Sequence, residues 1–151
     1  MAFNILVVDD SETMRAVIKK TVNMCGIEIG ALHEAGNGKE ALVVLEAEWI
    51  DVVLSDINMP EMGGIELLQA VKNDNVLRNI PVIFISTESS QTRKEEAESF
   101  GAAAYIKKPF MPEHIRDVLL GVLNKAYATR MLAEGAGGGT VGTEEDDSCD
   151  F

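Results

Sequence analysis

The chain has 151 residues, of which 46% are hydrophobic and 25% are charged. A chain of this length buries about two thirds of its unfolded surface, so we expect one ordinary globular core. The formal net charge of −12 argues against direct binding to nucleic acid, because the phosphate backbone would be repelled. No signal-peptide pattern opens the chain and no stretch approaches about 18 apolar residues, so we expect a cytoplasmic protein without a membrane span.

Strand and helix patterns alternate along the chain. The predicted strands cover residues 4–9, 29–35, 50–56, 82–86 and 103–107. The predicted helices cover residues 13–24, 39–48, 65–73, 91–100 and 112–127. Because each strand is followed by a helix, the pattern predicts an α/β fold with a doubly wound, five-stranded parallel sheet and helices on both faces.

The composition changes after residue 130, which we take as the end of the folded domain. Residues 131–151 contain no Lys or Arg and six acidic residues: Glu134, Glu144, Glu145, Asp146, Asp147 and Asp150. Residues 1–130 therefore hold 13 basic and 19 acidic side chains, a net charge of −6. The Gly-rich, acidic composition of residues 131–151 predicts a disordered tail, and a docking or autoinhibitory tail is the alternative.

Carboxylates follow two of the predicted strands at the point where each strand ends. Asp56 comes directly after the apolar run 52–54 and Ser55, and Pro60 and two glycines follow it. Alone, such an Asp most simply caps the next helix or holds a turn. However, Asp9 and Asp10 end the first apolar run in the same way. The carboxyl ends of parallel strands meet at one edge of a sheet, so we expect the three acids to lie together.

Ser86 ends the fourth predicted strand and Lys108 follows the fifth, so both belong to the same edge. Close carboxylates repel one another by about 4 kcal/mol per pair at an effective dielectric near 20, and a cation must compensate. Hard oxygen ligands with open positions are suited to Mg²⁺, and Lys108 supplies a second positive charge for a phosphoryl oxygen. The two cysteines, Cys25 and Cys149, are too few to indicate a disulfide framework or a zinc site.

The residues at this edge carry a resemblance. Asp9–Asp10, the segment 56–64, Ser86 and the run Lys108-Pro109-Phe110 resemble the signature of response-regulator receiver domains, most closely the single-domain chemotaxis type, the CheY-like proteins. Further matches are the run 11–15, Gly101 and Tyr105. The resemblance covers about residues 3–127 and implies the flavodoxin/CheY-like strand order 2-1-3-4-5, which the alternation of strands and helices alone does not determine.

The resemblance implies a two-component response regulator. A sensor histidine kinase of the chemotaxis type would transfer a phosphoryl group to Asp56, with Lys108 stabilising the charge. Mg²⁺ would be bound by Asp10, Asp56 and the backbone carbonyl of Asn58, with Asp9 helping directly or through water. By the same resemblance, the protein would not be a conventional enzyme, because it would phosphorylate itself from the donor in a Mg²⁺-dependent reaction and then dephosphorylate itself.

The resemblance also implies a conformational switch. Ser86 would move toward the phosphoryl group together with Tyr105, and Asn58 and Glu88 would tune a fast autodephosphorylation. The downstream partner would be a protein such as a flagellar motor switch, and a phosphatase is a further possible partner. The alternative function is that of a phosphotransfer intermediate or a phosphate sink, without such an output.

Three features test the resemblance. Thr87 stands where the family usually has Ala or Gly, so the access of phosphodonors to Asp56 should be narrower. Thr87 is also the alternative to Ser86 for the position of the switch hydroxyl. Lys107 raises the same question for Lys108, although Lys108 is the residue joined to Pro109 by a bond expected to be cis. The segment 36–41 fits a dinucleotide-binding fingerprint, but a Gly-Asn-Gly turn before a helix explains it more simply.

Overall fold

The computed structural model describes residues 2–87 and 90–135, and for residues 127–135 it describes the backbone. Strands and helices alternate throughout this part of the chain. The strands are β1 (Phe3–Val8), β2 (Ile29–Ala35), β3 (Val52–Ser55), β4 (Val82–Ser86) and β5 (Ala104–Lys107). The helices are α1 (Glu12–Asn23), α2 (Gly38–Ala47), α3 (Gly64–Asn73), α4 (Gln91–Ser99) and α5 (Pro112–Gly135). The alternation predicted from the sequence is confirmed.

The strands form one parallel sheet in the order β2-β1-β3-β4-β5. The order implied by the resemblance is therefore confirmed. In the register of the sheet, Val8 lies opposite Ala35 on one side and Ser55 on the other. Ser86 lies opposite Lys107. The carboxyl ends of β2, β1 and β3 are therefore level, β4 and β5 extend two residues further, and the loops that follow all five strands share one edge.

Side chains alternate between two apolar cores, one on each face of the sheet. On one face Ile5, Leu54 and Ile106 pack with α1 and α5. On the other face Val53 and Phe84 pack with α2, α3 and α4. Because both faces are covered by helices, the strands read as nearly continuous apolar runs, and a carboxylate at their ends marks the rim of the core.

The start of α2 explains the glycine motif of segment 36–41. The Asn37 side chain accepts a hydrogen bond from the Glu40 backbone N–H at 3.0 Å, and the Glu40 carboxylate accepts one from the Gly36 N–H at 2.8 Å. These reciprocal bonds satisfy backbone groups that a helix start leaves open. The motif serves as a helix cap in this chain.

Helix α5 is longer than the sequence pattern predicts. Its predicted end is Tyr127, whereas the helix continues to Gly135. The added residues include Ala, Met, Leu and Glu, which favour helix, and the first glycine or proline after Tyr127 is Gly135 itself. The predicted tail, apart from residues 131–135, lies outside the described residues. No helix in the described part of the chain has the length and apolar character needed to cross a bilayer.

Candidate functional site

Three carboxylates meet at the carboxyl edge of the sheet. Asp9 and Asp10 follow β1, and Asp56 follows the neighbouring strand β3. Each offers one oxygen atom such that all three oxygens lie within 4.8 Å of one another. Asp9 is buried, Asp56 is partly buried and Asp10 is exposed. The cluster is therefore open to solvent on the side of Asp10 and closed on the side of Asp9.

Both carboxylate oxygens of Asp9 are engaged. Oδ1 accepts a hydrogen bond from the Ser11 backbone N–H at 2.9 Å, and Oδ2 accepts one from the Lys108 ammonium group at 3.1 Å. The Asp9 backbone is also fixed, because its N–H donates to the Ala35 carbonyl and its carbonyl accepts a bond of 2.6 Å from Arg15. Asp9 is thus held in place, and Asp10 is the acid of the pair that faces outward.

The backbone and the side chain of Asp56 are both oriented by neighbouring main-chain groups. Its N–H donates to the Val8 carbonyl at 2.9 Å, which continues the pairing of β1 with β3 by one residue. Its Oδ1 accepts a hydrogen bond from the Ile57 N–H at 2.7 Å, while Oδ2 lies 3.8 Å from the Lys108 Nζ. One carboxylate oxygen is thereby fixed by the backbone, and the other faces the lysine.

The loop after Asp56 depends on Gly64. The Gly64 N–H donates to the Ile57 carbonyl at 2.8 Å. A Cβ atom at position 64 would lie 2.2 Å from the Asp56 carbonyl oxygen and 2.8 Å from Cε1 of Phe84. No other residue fits at this place without a shift of the backbone that carries Asp56.

Lys108 joins two of the acids. Its side chain is 10% exposed, and its Nζ lies 3.1 Å from Asp9 and 3.8 Å from Asp56. The Lys108 N–H donates to the Ser86 carbonyl at 2.9 Å, and the Lys108–Pro109 bond is cis. Lys107 is exposed and extends β5. Of the two lysines, the structure therefore brings Lys108 to the carboxylates.

Ser86 and Tyr105 share one face of the sheet. Ser86 is fully buried at the end of β4, two residues beyond Phe84, which belongs to the core under α2, α3 and α4. Tyr105 lies opposite Phe84 in the adjacent strand and is 5% exposed. The Nζ of Lys94 in α4 lies 5.5 Å from the centre of the Tyr105 ring. Ser86, Phe84 and Tyr105 therefore lie on one face of the sheet, and Lys94 places α4 beside Tyr105.

The other predicted positions lie in the loops around the site. Asn58 is exposed, two residues after Asp56, and Thr87 is exposed directly after the buried Ser86. Glu88 lies outside the described residues. The hydroxyl placed within the packed edge is therefore that of Ser86, and Thr87 stands at the solvent side of the β4 end.

The charges of the cluster favour a divalent cation. Three carboxylates and one ammonium group give a formal charge of −2 in the space where the acid oxygens lie within 4.8 Å. A carboxylate pair at about 4 Å costs about 4 kcal/mol at an effective dielectric near 20. Carboxylate oxygens with one outward-facing acid match the hard, open ligand set of Mg²⁺. The residues present therefore fit this ion.

Comparison with known proteins gives the family. A protein-family model described as the response regulator receiver domain matches residues 5–120, which is more than half of the chain. The chain belongs to this family. It is a response regulator of two-component signal transduction, as the sequence resemblance predicts.

The relatives of this receiver domain are chemotaxis proteins. Chemotaxis protein CheY1 of Helicobacter pylori strain J99 is 42% identical over 120 residues, which are 79% of this chain and 95% of that protein. Chemotaxis protein CheY of Pseudomonas aeruginosa is 37% identical over 113 residues, which are 75% of this chain and 90% of that protein. In both cases the matched region spans almost the full length of the relative.

Solved structures share the fold of the receiver domain. A CheY-like receiver domain protein from Methanospirillum hungatei has a TM-score of 0.75 at 26% identity, with 85% of this chain and 99% of that chain covered. Chemotaxis protein CheY4 of Vibrio cholerae has a TM-score of 0.68 at 32% identity, with 83% and 99% covered. These neighbours confirm the predicted fold class.

Two residues that shape the site, Arg15 and Gly64, were given no role from the sequence. Arg15 bonds to the Asp9 carbonyl and, at 2.8 Å, to the Glu34 carboxylate on β2. This bond and that of Lys19 lower the pKa of the Glu34 carboxyl, the Lys19 bond being the larger cause. Gly64 packs against Asp56 itself. The signal for Gly64 was the glycine pair after Pro60. Arg15 belongs to the run 11–15 that matches the family, but that match assigned it no role.

Proposed function

We propose that this receiver domain accepts a phosphoryl group on Asp56 from the phosphohistidine of a sensor histidine kinase, of the kind that serves chemotaxis. The observation that carries the proposal is the cluster of Asp9, Asp10 and Asp56 with Lys108 set between two of the acids. Phosphoryl transfer is catalysed mainly by positioning and by positive charge near the transferring group. Both are features of this edge of the sheet.

In the proposed step, a carboxylate oxygen of Asp56 attacks phosphorus in line with the P–N bond of the phosphohistidine. A P–O bond forms, the P–N bond breaks, and the kinase imidazole leaves with the electron pair of that bond. The Ile57 N–H orients the Asp56 carboxylate. Lys108 lies 3.8 Å from Oδ2 of Asp56 and so stands beside the position of the phosphoryl oxygens. Both groups stabilise the negative charge that gathers there.

We further propose a Mg²⁺ site. Asp10, Asp56 and the backbone carbonyl of Asn58 would hold the ion, and Asp9, whose oxygens already serve Ser11 and Lys108, would act directly or through water. When bound, Mg²⁺ supplies positive charge at the transferring phosphoryl group and orients its oxygens. The support is the −2 formal charge and the hard oxygen donors of the cluster.

Signal output is proposed to come from the face formed by α4, β5 and α5. Ser86 would turn toward the phosphoryl oxygens, and Tyr105, packed on the same face of the sheet, would follow. A phosphate at Asp56 then favours one of two arrangements of that face. The proposed partner is a protein of the flagellar motor switch, which the names of the chemotaxis relatives support.

Signal termination is proposed to be fast. By the family resemblance, Asn58 and Glu88 adjust the hydrolysis of the aspartyl phosphate. A structural neighbour at 29% identity, with a TM-score of 0.71, is a CheX–CheY–BeF₃–Mg complex from Borrelia burgdorferi. That complex supports the proposal that a further protein partner binds this chain, and the proposed partner of this kind is a phosphatase. Retention of most of the phosphate for an hour in Mg²⁺, without a phosphatase, would contradict the fast intrinsic hydrolysis.

The output is tested by binding to a peptide from a motor switch protein, before and after treatment with a small-molecule phosphodonor and Mg²⁺. We expect tighter binding after treatment of the wild type and no change for Asp56→Asn. Tyr105→Phe keeps the ring in the core and removes the hydroxyl, so it tests the coupling with little loss of packing. Phosphorylation of Asp56 without any change in binding would reject the switch and favour the phosphorelay intermediate or phosphate sink.

A further inference from the structure

A cavity of about 450 Å³ opens at the edge of the sheet opposite to Asp56. Pro81, just before β4, and Ala103, just before β5, are among the residues that line it. Among the described residues that line it, three are cationic and none is acidic; the cations are Lys72, Arg78 and Lys125. We call it the basic cavity.

The basic cavity contrasts with the rest of the domain. Residues 1–130 have 13 basic and 19 acidic side chains, so the surface repels anions on average. Three of those 13 cations line this one cavity without a carboxylate among the described lining residues. The basic cavity is therefore suited to bind an anionic ligand, in particular a segment with several negative charges in a row.

The position of the Lys72 side chain is set by its surroundings. Its Nζ donates to the Arg78 carbonyl at 3.3 Å. A Cβ atom on Gly101, whose φ is +98°, would lie 3.0 Å from Cε of Lys72. The lysine stem thus runs along the glycine turn before β5, and its ammonium group is directed to the loop that bears Arg78. The Arg78 side chain in turn bonds to the Asn75 side-chain oxygen.

We propose that residues 144–150 of the same chain bind in the basic cavity. This segment contains five acids and no basic residue: Glu144, Glu145, Asp146, Asp147 and Asp150. Its charge is opposite to that of the cavity and equal in sign to that of the domain as a whole. Attraction is therefore concentrated at the cavity, and the remainder of the surface disfavours other positions for the segment.

The length of the chain allows this contact. Helix α5 passes the basic cavity at Lys125 and ends at Gly135, ten residues later, which is about 15 Å along a helix. Residues 136–143 then span at most about 26 Å. Four of these eight residues are glycine, which favours a reversal of direction. The acids from position 144 onward therefore reach back to the cavity. A tether of this length gives an effective concentration of the order of millimolar, which favours the chain's own segment over a free acidic partner.

The contact between the acidic segment and the basic cavity does not depend on phosphorylation of Asp56, because the basic cavity lies at the other edge of the sheet. The bound segment would connect the loop before β4 and the turn before β5 to α5. We therefore expect neutralisation of the acids at 144–147 to leave the Mg²⁺ affinity of the carboxylate cluster unchanged. Failure of the tail contact and failure of the phosphoryl transfer are thus separate results.

The test uses the full chain with a nitroxide spin label on Cys149, which lies within the acidic segment. Cys25 is buried, and that burial raises the pKa of its thiol, so labelling at neutral pH is directed to Cys149; peptide mapping checks this. Paramagnetic broadening of backbone amide signals is then measured by NMR. We expect it at Arg78, Gly101 and Ala103, and we expect it to fade at about 0.5 M NaCl because salt screens the attraction.

Charge variants decide between docking and chance proximity. In Arg78→Glu/Lys125→Glu we expect the docked population to fall about tenfold relative to the undocked one. Lys20→Glu/Lys39→Glu changes the net charge by the same amount at two exposed lysines of α1 and α2 outside the cavity lining, should keep the broadening and is the matched control. The proposal is overturned by absence of broadening at the cavity, or by equal broadening in the double variant. Broadening that arises only between spin-labelled and ¹⁵N-labelled molecules mixed together also overturns it, because the contact would then join two copies.

Discussion

Replacement of Lys108 by Met tests the electrostatics of the site most sharply. The lysine Nζ lies 3.1 Å from Asp9 and 3.8 Å from Asp56. At an effective dielectric of about 20, these attractions amount to about 5 and about 4 kcal/mol. The Lys108 and Asp9 side chains are 10% and 2% exposed, so much of this attraction offsets the desolvation of the two ions. Removing one partner of such a pair leaves the other charge buried, which costs about 3–5 kcal/mol.

We therefore expect Lys108→Met to lower the free energy of unfolding by about 3 kcal/mol in metal-free buffer. The same change should tighten Mg²⁺ binding about tenfold or more, because the formal charge of the cluster becomes −3 and a competing cation is lost. Urea unfolding followed by Trp49 fluorescence measures the first effect, and calorimetric titration with Mg²⁺ measures the second. Added Mg²⁺ should restore part of the lost stability.

Lys107→Met is the matched control, because Lys107 is the exposed neighbour on β5. Its stability should stay within about 0.5 kcal/mol of the wild type, and its Mg²⁺ affinity should not change. Equal stability of the two variants would refute the assigned role of Lys108. Weaker Mg²⁺ binding in Lys108→Met would show that the lysine supports the cation site, contrary to the electrostatic argument.

Further substitutions probe the surroundings of the acids. Gly64→Ala should lower the free energy of unfolding in urea by several kcal/mol, because its Cβ would lie 2.2 Å from the Asp56 carbonyl oxygen. Gly121→Ala in α5 is the control: a Cβ there would have nothing within 4 Å, so the free energy of unfolding should rise by about 0.5–1 kcal/mol. Glu34→Gln should cost under about 1 kcal/mol at neutral pH. This cost should vanish as acid protonates the wild-type carboxyl, because the stability that the lowered pKa of Glu34 confers is fully present above the ordinary value of 4.5 and is lost as the pH falls through the lowered pKa. A difference that persists in stronger acid would contradict the ion-pair account. Arg15→Ala should weaken Mg²⁺ binding, measured by titration, since it frees the Asp9 carbonyl, and an unchanged affinity would show that Arg15 does not position the acids.

The alternation of strands and helices and the parallel sheet could be predicted from the sequence. Apolar runs separated by amphipathic segments predict a parallel sheet, and parallel strands bring their carboxyl ends to one edge, so the placement of Asp9, Asp10 and Asp56 at that edge was predictable. Their close approach also requires β1 to lie beside β3. The strand order 2-1-3-4-5 came from family resemblance, since alternation alone permits several orders. The added turns of α5 were missed, because the short run between Tyr127 and Gly135 adjoins the Gly-rich, acidic segment, although its Ala, Met, Leu and Glu residues favour helix.

The different roles of Asp9 and Asp10 within the site follow from the structure and could not be predicted from the sequence. Sequence does not tell that Asp9 has both oxygens occupied while Asp10 faces outward, because both acids follow the same strand. The close approach of Gly64 to Asp56 depends on the path of a loop eight residues long, and the Arg15 contact joins a helix to a different strand. Long-range contacts of this kind leave no periodic pattern in the sequence.

Phosphorylation itself is the most direct test of the central claim that this edge of the sheet is a Mg²⁺-dependent phosphoryl acceptor. Wild type and Asp56→Asn are incubated with a small-molecule phosphodonor in Mg²⁺ or in EDTA, and intact mass with peptide mapping is recorded. We expect one phosphoryl group on the wild type in Mg²⁺ alone, on the peptide that contains Asp56. Equal modification of Asp56→Asn, equal modification in EDTA, or no modification of the wild type would contradict the account.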